Sequence, residues 1–135
     1  MSGRASRRVL AAIFVFAGVM HFVIPVHYVS IMPPWLPLHR PLVYLSGALE
    51  IAGGVGLLIP RTRRAAGIGL VVLLIGVWPA NLQMLLKAQA EHRPAWEQAL
   101  LWLRLPLQLV LMVWVWRAAD TAGDRNDSAD SADSA

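Results

Sequence analysis

The chain contains no cysteine and few charged residues. Without cysteine there is no disulfide, thiol redox chemistry, iron–sulfur cluster or cysteine-ligated zinc. Only 15% of the 135 residues are charged and 57% are hydrophobic, whereas about a quarter of a soluble domain is charged. The net charge of +4 comes from short basic clusters beside apolar runs, without a basic stripe and interleaved aromatics. The composition therefore predicts one membrane-embedded domain and no nucleic-acid partner.

Four apolar segments, each near the ~20 residues that a helix needs to cross a bilayer, divide the chain. They are Val9 to Val26, Leu42 to Ile59, Ala65 to Leu86, and Trp96 to Trp116. Because lipid offers no hydrogen bonds to the backbone, each segment is expected to be a helix. The prediction is an all-α fold, an integral membrane four-helix transmembrane bundle, over residues 9–117.

Basic residues predict the orientation of these spans. Arg4, Arg7, Arg8, Arg61, Arg63, Arg64 and Arg117 flank one side, and Arg40, Lys87 and Arg93 flank the other. The positive-inside rule then places the basic N-terminus, residues 1–8, and the acidic tail, residues 118–135, in the cytoplasm. The tail is expected to be disordered because it has no large apolar residue. A cleaved signal peptide is the alternative for the first segment, but HFVIPVHY stands where a small-residue cleavage site is expected, which favours a retained span.

Every predicted span contains polar side chains. They are His21 in the first, Glu50 in the second, Asn81 and Gln83 in the third, and Arg104 and Gln108 in the fourth. Counting 1.5 Å per residue, His21, Glu50, Asn81 and Arg104 lie about 7–12 Å below the outer ends of their spans, with Gln108 near the midplane. We therefore predict a polar cluster in the outer half of the bundle.

Glu50 needs a partner, because a charge at bilayer depth costs about 2.5–3.5 kcal/mol on insertion scales. It can pair with Arg104, be protonated, or share a proton with His21. Since Arg104 keeps its charge, we expect a Glu50–Arg104 pair, with the other polar groups as hydrogen-bonding neighbours.

Such a cluster has two interpretations. A buried ion pair can fix helix register, but it seldom stabilises a fold more than apolar side chains would. We therefore favour a ligand-binding site formed by His21, Glu50, Asn81, Arg104 and Gln108, with Glu50, His21 and Arg104 as candidate catalytic residues. A single deep histidine does not suit haem or a metal between spans, so no metal site is predicted.

Small residues and prolines are expected to shape the helices around this cluster. Ala48, Ala52, Gly53, Gly54 and Gly56 are interpreted as positions where neighbouring helices pack closely. Pro79 and Pro106 free the carbonyls of Ile75 and Trp102, which we expect to accept hydrogen bonds from Asn81, Arg104 or water.

The segment HYVSIMPPWLPLHRP joins the first two spans. Its four prolines exclude a continuous helix, and its apolar residues are typical of a segment that lies on the membrane face. We predict that it forms a lid or rim over the polar cluster, with His27, Tyr28, Trp35 and His39 as rim residues. The alternative is an interfacial anchor that contacts no ligand.

MPPWLP, SGALEIAGG, VWPAN and LRLPLQ together resemble the DoxX-like family of small membrane proteins over about residues 9–117. The resemblance implies a four-helix protein of the bacterial inner membrane. Family members include a subunit of a thiosulfate:quinone oxidoreductase, and relatives are associated with oxidative-stress enzymes and with quinone or catechol resistance. The matched polar positions are Glu50, Asn81, Arg104 and Gln108. The absence of cysteine departs from relatives that use thiols.

Three functions remain open at this point. The leading hypothesis is a quinone-linked or redox-associated protein that binds a quinone-like or lipidic small molecule. It has no intrinsic cofactor, so a bound quinone or a partner membrane or redox protein must carry the electrons. The alternative is a non-enzymatic accessory subunit or assembly factor for a larger complex. A small-solute or proton transport element is the weakest of the three.

Overall fold

The computed structural model describes residues 2–32, 34–120 and 132–134. Its helices are α1 (Gly3–Val23), α2 (Pro25–Ile31), α3 (His39–Leu58), α4 (Arg63–Ala90) and α5 (Ala95–Ala119). Within these ranges there is no strand, which confirms the predicted all-α class. Residues 121–131 and 135 lie outside the described residues, so the disorder of the tail stays a prediction.

Four of the helices, α1, α3, α4 and α5, are long and apolar enough to cross a membrane. The protein is therefore a multi-pass, four-helix transmembrane bundle, as predicted. The helices are longer than the apolar segments, and α4 reaches 28 residues, or about 42 Å at 1.5 Å per residue. This length exceeds a hydrocarbon core of about 30 Å, so the polar ends of α4 extend beyond it.

The bundle is antiparallel, as contacts between successive long helices show. Gly18 of α1 lies against Gly47 of α3, whereas Ala11, earlier in α1, lies against Gly54, later in α3. Gly56, near the end of α3, contacts Ala66, near the start of α4. Gly67, near the start of α4, contacts Ala119 at the end of α5. One end of the bundle thus carries the two termini, and the other carries α2. We name these the terminal end and the α2 end.

The terminal end is tightly packed. Its buried apolar cluster consists of Leu10, Phe14, Leu57, Leu70, Leu74, Val115, Ala118 and Ala119. Small residues allow the close approach that holds membrane helices together by van der Waals contact. Gly53, Gly54 and Gly56 are buried as predicted, whereas Ala48 and Ala52 are exposed, so their predicted packing role is wrong. Both alanines lie on the other face of α3.

Proline breaks the chain at the α2 end. Pro25 disfavours a helical conformation at Ile24, where α1 ends, and itself occupies the first turn of α2. The predicted first span, which ran to Val26, therefore ends at Val23. Pro41 lies in the first turn of α3, where its missing N–H breaks no helical hydrogen bond. The α2 helix contacts both α3 and α4.

The approach of α1 to α3 gives a stability prediction. A Cβ added at Gly47 would lie 2.7 Å from the Cβ of His21 and 2.8 Å from the carbonyl oxygen of Gly18. We expect Gly47→Ala to lower the free energy of unfolding by about 1–3 kcal/mol, because α1 and α3 must separate to accommodate it. Thermal unfolding in detergent measures this.

Gly69→Ala is the matched control for that experiment. An added Cβ at Gly69 meets nothing within 4 Å, so alanine there should be neutral or stabilise the helix by up to about 1 kcal/mol. Equal melting temperatures for the two variants would contradict close α1–α3 packing.

Candidate functional site

A cavity of about 520 Å³ lies inside the α2 end of the bundle. Its volume falls within the roughly 300–1,000 Å³ of small-molecule sites. The polar residues that line it are His21, Tyr28, Ser46, Glu50, Asn81, Arg104 and Gln108. All five residues predicted to bind a ligand therefore line one cavity, and they come from all four long helices. The remaining wall is mostly leucine, valine and other apolar side chains.

His21 reaches the cavity from the last turn of α1. Its Nδ1 lies 2.8 Å from the carbonyl oxygen of Ala17, and because that oxygen only accepts, Nδ1 carries the proton. The ring stacks on Tyr28 with centroids 3.9 Å apart and planes 17° from parallel. The break at Pro25 makes this possible, since it turns α2 back over the end of α1.

Glu50 and Arg104 do not form the ion pair expected from the sequence. Among the described residues, the ion-pair contact of Glu50 is with His21, at 3.4 Å between Oε2 and Nδ1. Arg104 lines the same cavity from α5 and forms no hydrogen bond or ion pair with any described residue. Helical phase placed both residues on the correct faces, but it could not predict the width of the space between the helices.

Asn81 and Gln108 join α4 to α5. The Nδ2 group of Asn81 donates to Oε1 of Gln108, and Nε2 of Gln108 donates to the carbonyl oxygen of Leu74. All of these polar atoms are buried. Neither Asn81 nor Arg104 donates to the carbonyl of Ile75 in the described residues, and Gln108 donates to the carbonyl of the preceding residue; a bond from water to Ile75 stays a prediction. This amide chain positions α5 against the Pro79 segment of α4.

Three buried polar atoms in the described part of the chain have no hydrogen-bond partner: Ser46 Oγ, Glu50 Oε2 and Trp78 Nε1. Ser46 and Glu50 both line the cavity and stand one turn apart on α3. Sequence analysis did not select Ser46, although its spacing of four residues from Glu50 was the available signal. An unpartnered polar atom in a buried site costs about 1–3 kcal/mol, and more if it is charged.

Of the four predicted rim residues, two lie in the cavity wall. Tyr28 and Trp35 line the cavity. His27 lies beside Tyr28 with ring planes at 80°, and neither His27 nor His39 belongs to the wall. Tyr28 is on a helix, α2, that the proline content of this segment did not predict.

The cavity reaches the lipid-facing surface between α3 and α4. Leu45 and Leu49 of α3 belong to its wall and are 54% and 49% exposed. Gly76 on α4 also lines it and is exposed. An added Cβ at Gly76 would meet nothing within 4 Å, so no side chain covers the cavity wall at this position. The wall of the cavity therefore includes exposed residues of both α3 and α4.

The electrostatics of the cavity act on the Tyr28 hydroxyl. Burial raises the pKa of Tyr28 above its ordinary value of 10.0, the charge of Glu50 raises it further, and Arg104 opposes this increase. Both charges therefore act on the same hydroxyl although they do not pair with each other.

The Tyr28 titration should report these charges separately. Because a carboxylate disfavours the phenolate, Glu50→Gln should lower the pKa of Tyr28, whereas Arg104→Leu should raise it. Ultraviolet titration in a Tyr44→Phe background leaves Tyr28 as the only tyrosine. Glu97→Gln, on the protein surface, should leave the titration unchanged. A Tyr28 pKa that is insensitive to both cavity variants would contradict the described geometry.

The comparisons with known proteins concern the whole bundle. Residues 10–119 match a family model described as a domain of unknown function, DUF8561. No curated protein matches the chain, and no solved structure matches it. The match spans all four transmembrane helices, so the chain belongs to the DUF8561 family.

Proposed function

We propose that the protein binds a quinone-like or lipidic amphiphile in the cavity at the α2 end and serves a quinone-linked or redox-associated function in the membrane. The observation that carries this proposal is the set of polar groups that face the cavity without partners. Ser46 Oγ and Glu50 Oε2 are buried and unbonded, and Arg104 has no ion pair or hydrogen bond within the described ranges.

A purely structural role fits these three residues poorly. The amide chain of Asn81 and Gln108 shows how polar side chains connect helices in this protein, since each amide is bonded to a partner. Ser46 and Arg104 make no such connection between helices, and the 3.4 Å contact of Glu50 Oε2 with His21 Nδ1 joins α3 to α1 without a hydrogen bond. Because lipid supplies no hydrogen bonds, these three residues lower the stability of the empty protein unless a ligand or water meets them.

The residues that line the cavity favour a ligand with a planar head group and an apolar chain. Aromatic rings line the α2 end, where Tyr28 stacks on His21 and Trp35 lies close by. Leucines that are partly exposed between α3 and α4 provide an apolar exit toward lipid. A quinone-like molecule has this combination of aromatic head, oxygen atoms and apolar tail. The resemblance to DoxX-like proteins supports the same class of ligand.

Electron transfer is not assigned to this chain by itself. It has no cysteine, so a bound quinone or a partner redox protein has to exchange the electrons. The proposed activity of the protein is to bind and position the amphiphile.

We also propose that the protein lies in a bacterial inner membrane with both termini in the cytoplasm. The basic residues beside the spans support this, since seven lie at the terminal end and three at the α2 end. The cavity would then open in the outer half of the bilayer. A reporter that is active only outside the cytoplasm should be inactive when fused after Arg117, and activity there would contradict this orientation.

A large side chain at Gly76, which lines the cavity, tests the binding proposal. Gly76→Phe should leave the fold intact, because the added side chain enters open space, but it should block the cavity. We expect the amount of small molecule extracted from the purified protein to fall at least about tenfold, equivalent to about 1.4 kcal/mol. Chromatography and mass spectrometry of the solvent extract measure it.

The control is Gly69→Phe, two turns away on the same helix, where the space is also open and no cavity wall is formed. It should retain the ligand. Equal ligand content in both variants and the unaltered protein would contradict the proposed site. A stoichiometric protein partner without any small molecule would instead support the accessory-subunit function.

A further inference from the structure

We propose that the terminal end of the bundle is a binding surface for an anionic phospholipid, whose phosphate group contacts exposed arginines and whose acyl chains contact neighbouring apolar side chains. This surface is separate from the cavity, so the proposal depends neither on the proposed function nor on the orientation in the membrane. It follows from the different pairing of basic residues at the two ends of the bundle.

At the α2 end, carboxylates accompany the basic residues. Arg93 donates to Glu91 at 2.9 Å and to Glu97 at 2.8 Å. Lys87 lies 4.0 Å from Glu91. Two of the three bases at this end are therefore paired within the protein.

At the terminal end, arginines outnumber carboxylates. Seven arginines lie there, whereas Asp120 is the one acidic residue of that end within residues 2–32 and 34–120. Five of the seven are exposed and make no hydrogen bond or ion pair with a described residue: Arg4, Arg8, Arg61, Arg64 and Arg117. These five positive charges therefore have no contacting counter-charge in that part of the chain.

The two remaining arginines differ from these five. Arg7 and Arg63 are buried, and Nε of Arg63 donates to the carbonyl oxygen of Leu57 in the last turn of α3. Such a bond satisfies a carbonyl that the end of the helix leaves open. Arg63 thus serves the fold, whereas the exposed arginines are available to another molecule.

The exposed arginines lie together because the helix ends that carry them pack together. Leu10 of α1 shares one buried cluster with Ala119 of α5, and Gly67 of α4 also contacts Ala119. Each of these contacts is two or three residues from an exposed arginine: Arg8 on α1, Arg64 on α4 and Arg117 on α5. Their positive potentials therefore add at one end of the bundle.

Apolar side chains beside these arginines indicate the kind of partner. Val9 follows Arg8, Trp116 precedes Arg117, and both apolar side chains are exposed. Tryptophan is typical of the level at which lipid headgroups meet the hydrocarbon. A partner that meets both kinds of side chain carries a negative charge next to an apolar chain, and clustered arginines at the end of a span attract anionic lipids. A free phosphate ion would meet the arginines alone.

Lipid binding to the protein in detergent tests this surface. The probes are phosphatidylglycerol, which has one net negative charge, and phosphatidylcholine with the same acyl chains, which has none. Native mass spectrometry gives a dissociation constant for each lipid. We expect phosphatidylglycerol to bind at least about tenfold more tightly, because only its headgroup has a net charge for the arginines.

A triple variant locates the surface. Combining Arg8→Gln, Arg64→Gln and Arg117→Gln should lower the preference to about twofold or less, since it removes one exposed arginine from each of three helices. The melting temperature should not change, because these side chains hold no other described residue. The matched control combines Arg40→Gln, Lys87→Gln and Arg93→Gln, which remove the same charge at the α2 end and should keep the preference.

Three results would overturn the proposal. The first is equal affinity of the unaltered protein for the two lipids. The second is an equal loss of preference in both triple variants, because net charge would then attract the lipid without a surface at the terminal end. The third is a preference that appears only after residues 121–135 are removed, because the four aspartates of that segment would then occupy the arginines. The cavity proposal stands under each of these results.

Discussion

Lipid provides no hydrogen bonds, so each polar group within a span must find its partner inside the protein or in something that the protein binds. The amides of Asn81 and Gln108 satisfy this constraint by bonding to each other and to the backbone of α4. Ser46 Oγ and Glu50 Oε2 do not satisfy it. This division separates the polar side chains that hold α4 to α5 from those that are available to a ligand.

The two ends of the bundle make that availability possible. At the terminal end, glycine and alanine bring the helices into close contact, and a continuous apolar cluster fills the interior. At the α2 end, the break at Pro25 shortens α1, and α2 with the following loop covers a space that the four long helices leave empty. The packed end keeps the helices in register, so that polar side chains from different helices can face the same cavity. On the side of α3 and α4 the wall includes exposed residues, Gly76 among them.

Much of the fold was predictable because it follows from local rules. The lengths of the apolar segments predicted the four long helices. Depth predicted that five polar residues lie together, and they line one cavity: His21, Glu50, Asn81, Arg104 and Gln108. The Glu50–Arg104 pair was wrong, because charge and helical phase do not determine how far apart two helix faces lie. Ser46 was missed since a serine in a span is usually inconspicuous, and only the structure shows that its hydroxyl is buried without a partner. Helix α2 was missed because the nearby prolines suggested an irregular segment, although Pro25 is well suited to start a helix.

The central claim is that the hollow α2 end holds a ligand against Ser46 and Glu50. The chain has no native cysteine, so Ser46→Cys places a single thiol at this position. Ala48→Cys, on the exposed face of the same helix, provides the comparison. The most direct measurement is the rate of maleimide labelling of each thiol with and without a fully substituted decyl-benzoquinol that is kept reduced without oxygen. The account predicts that the benzoquinol slows labelling at position 46 and leaves position 48 unaffected; unchanged labelling at position 46 would contradict it.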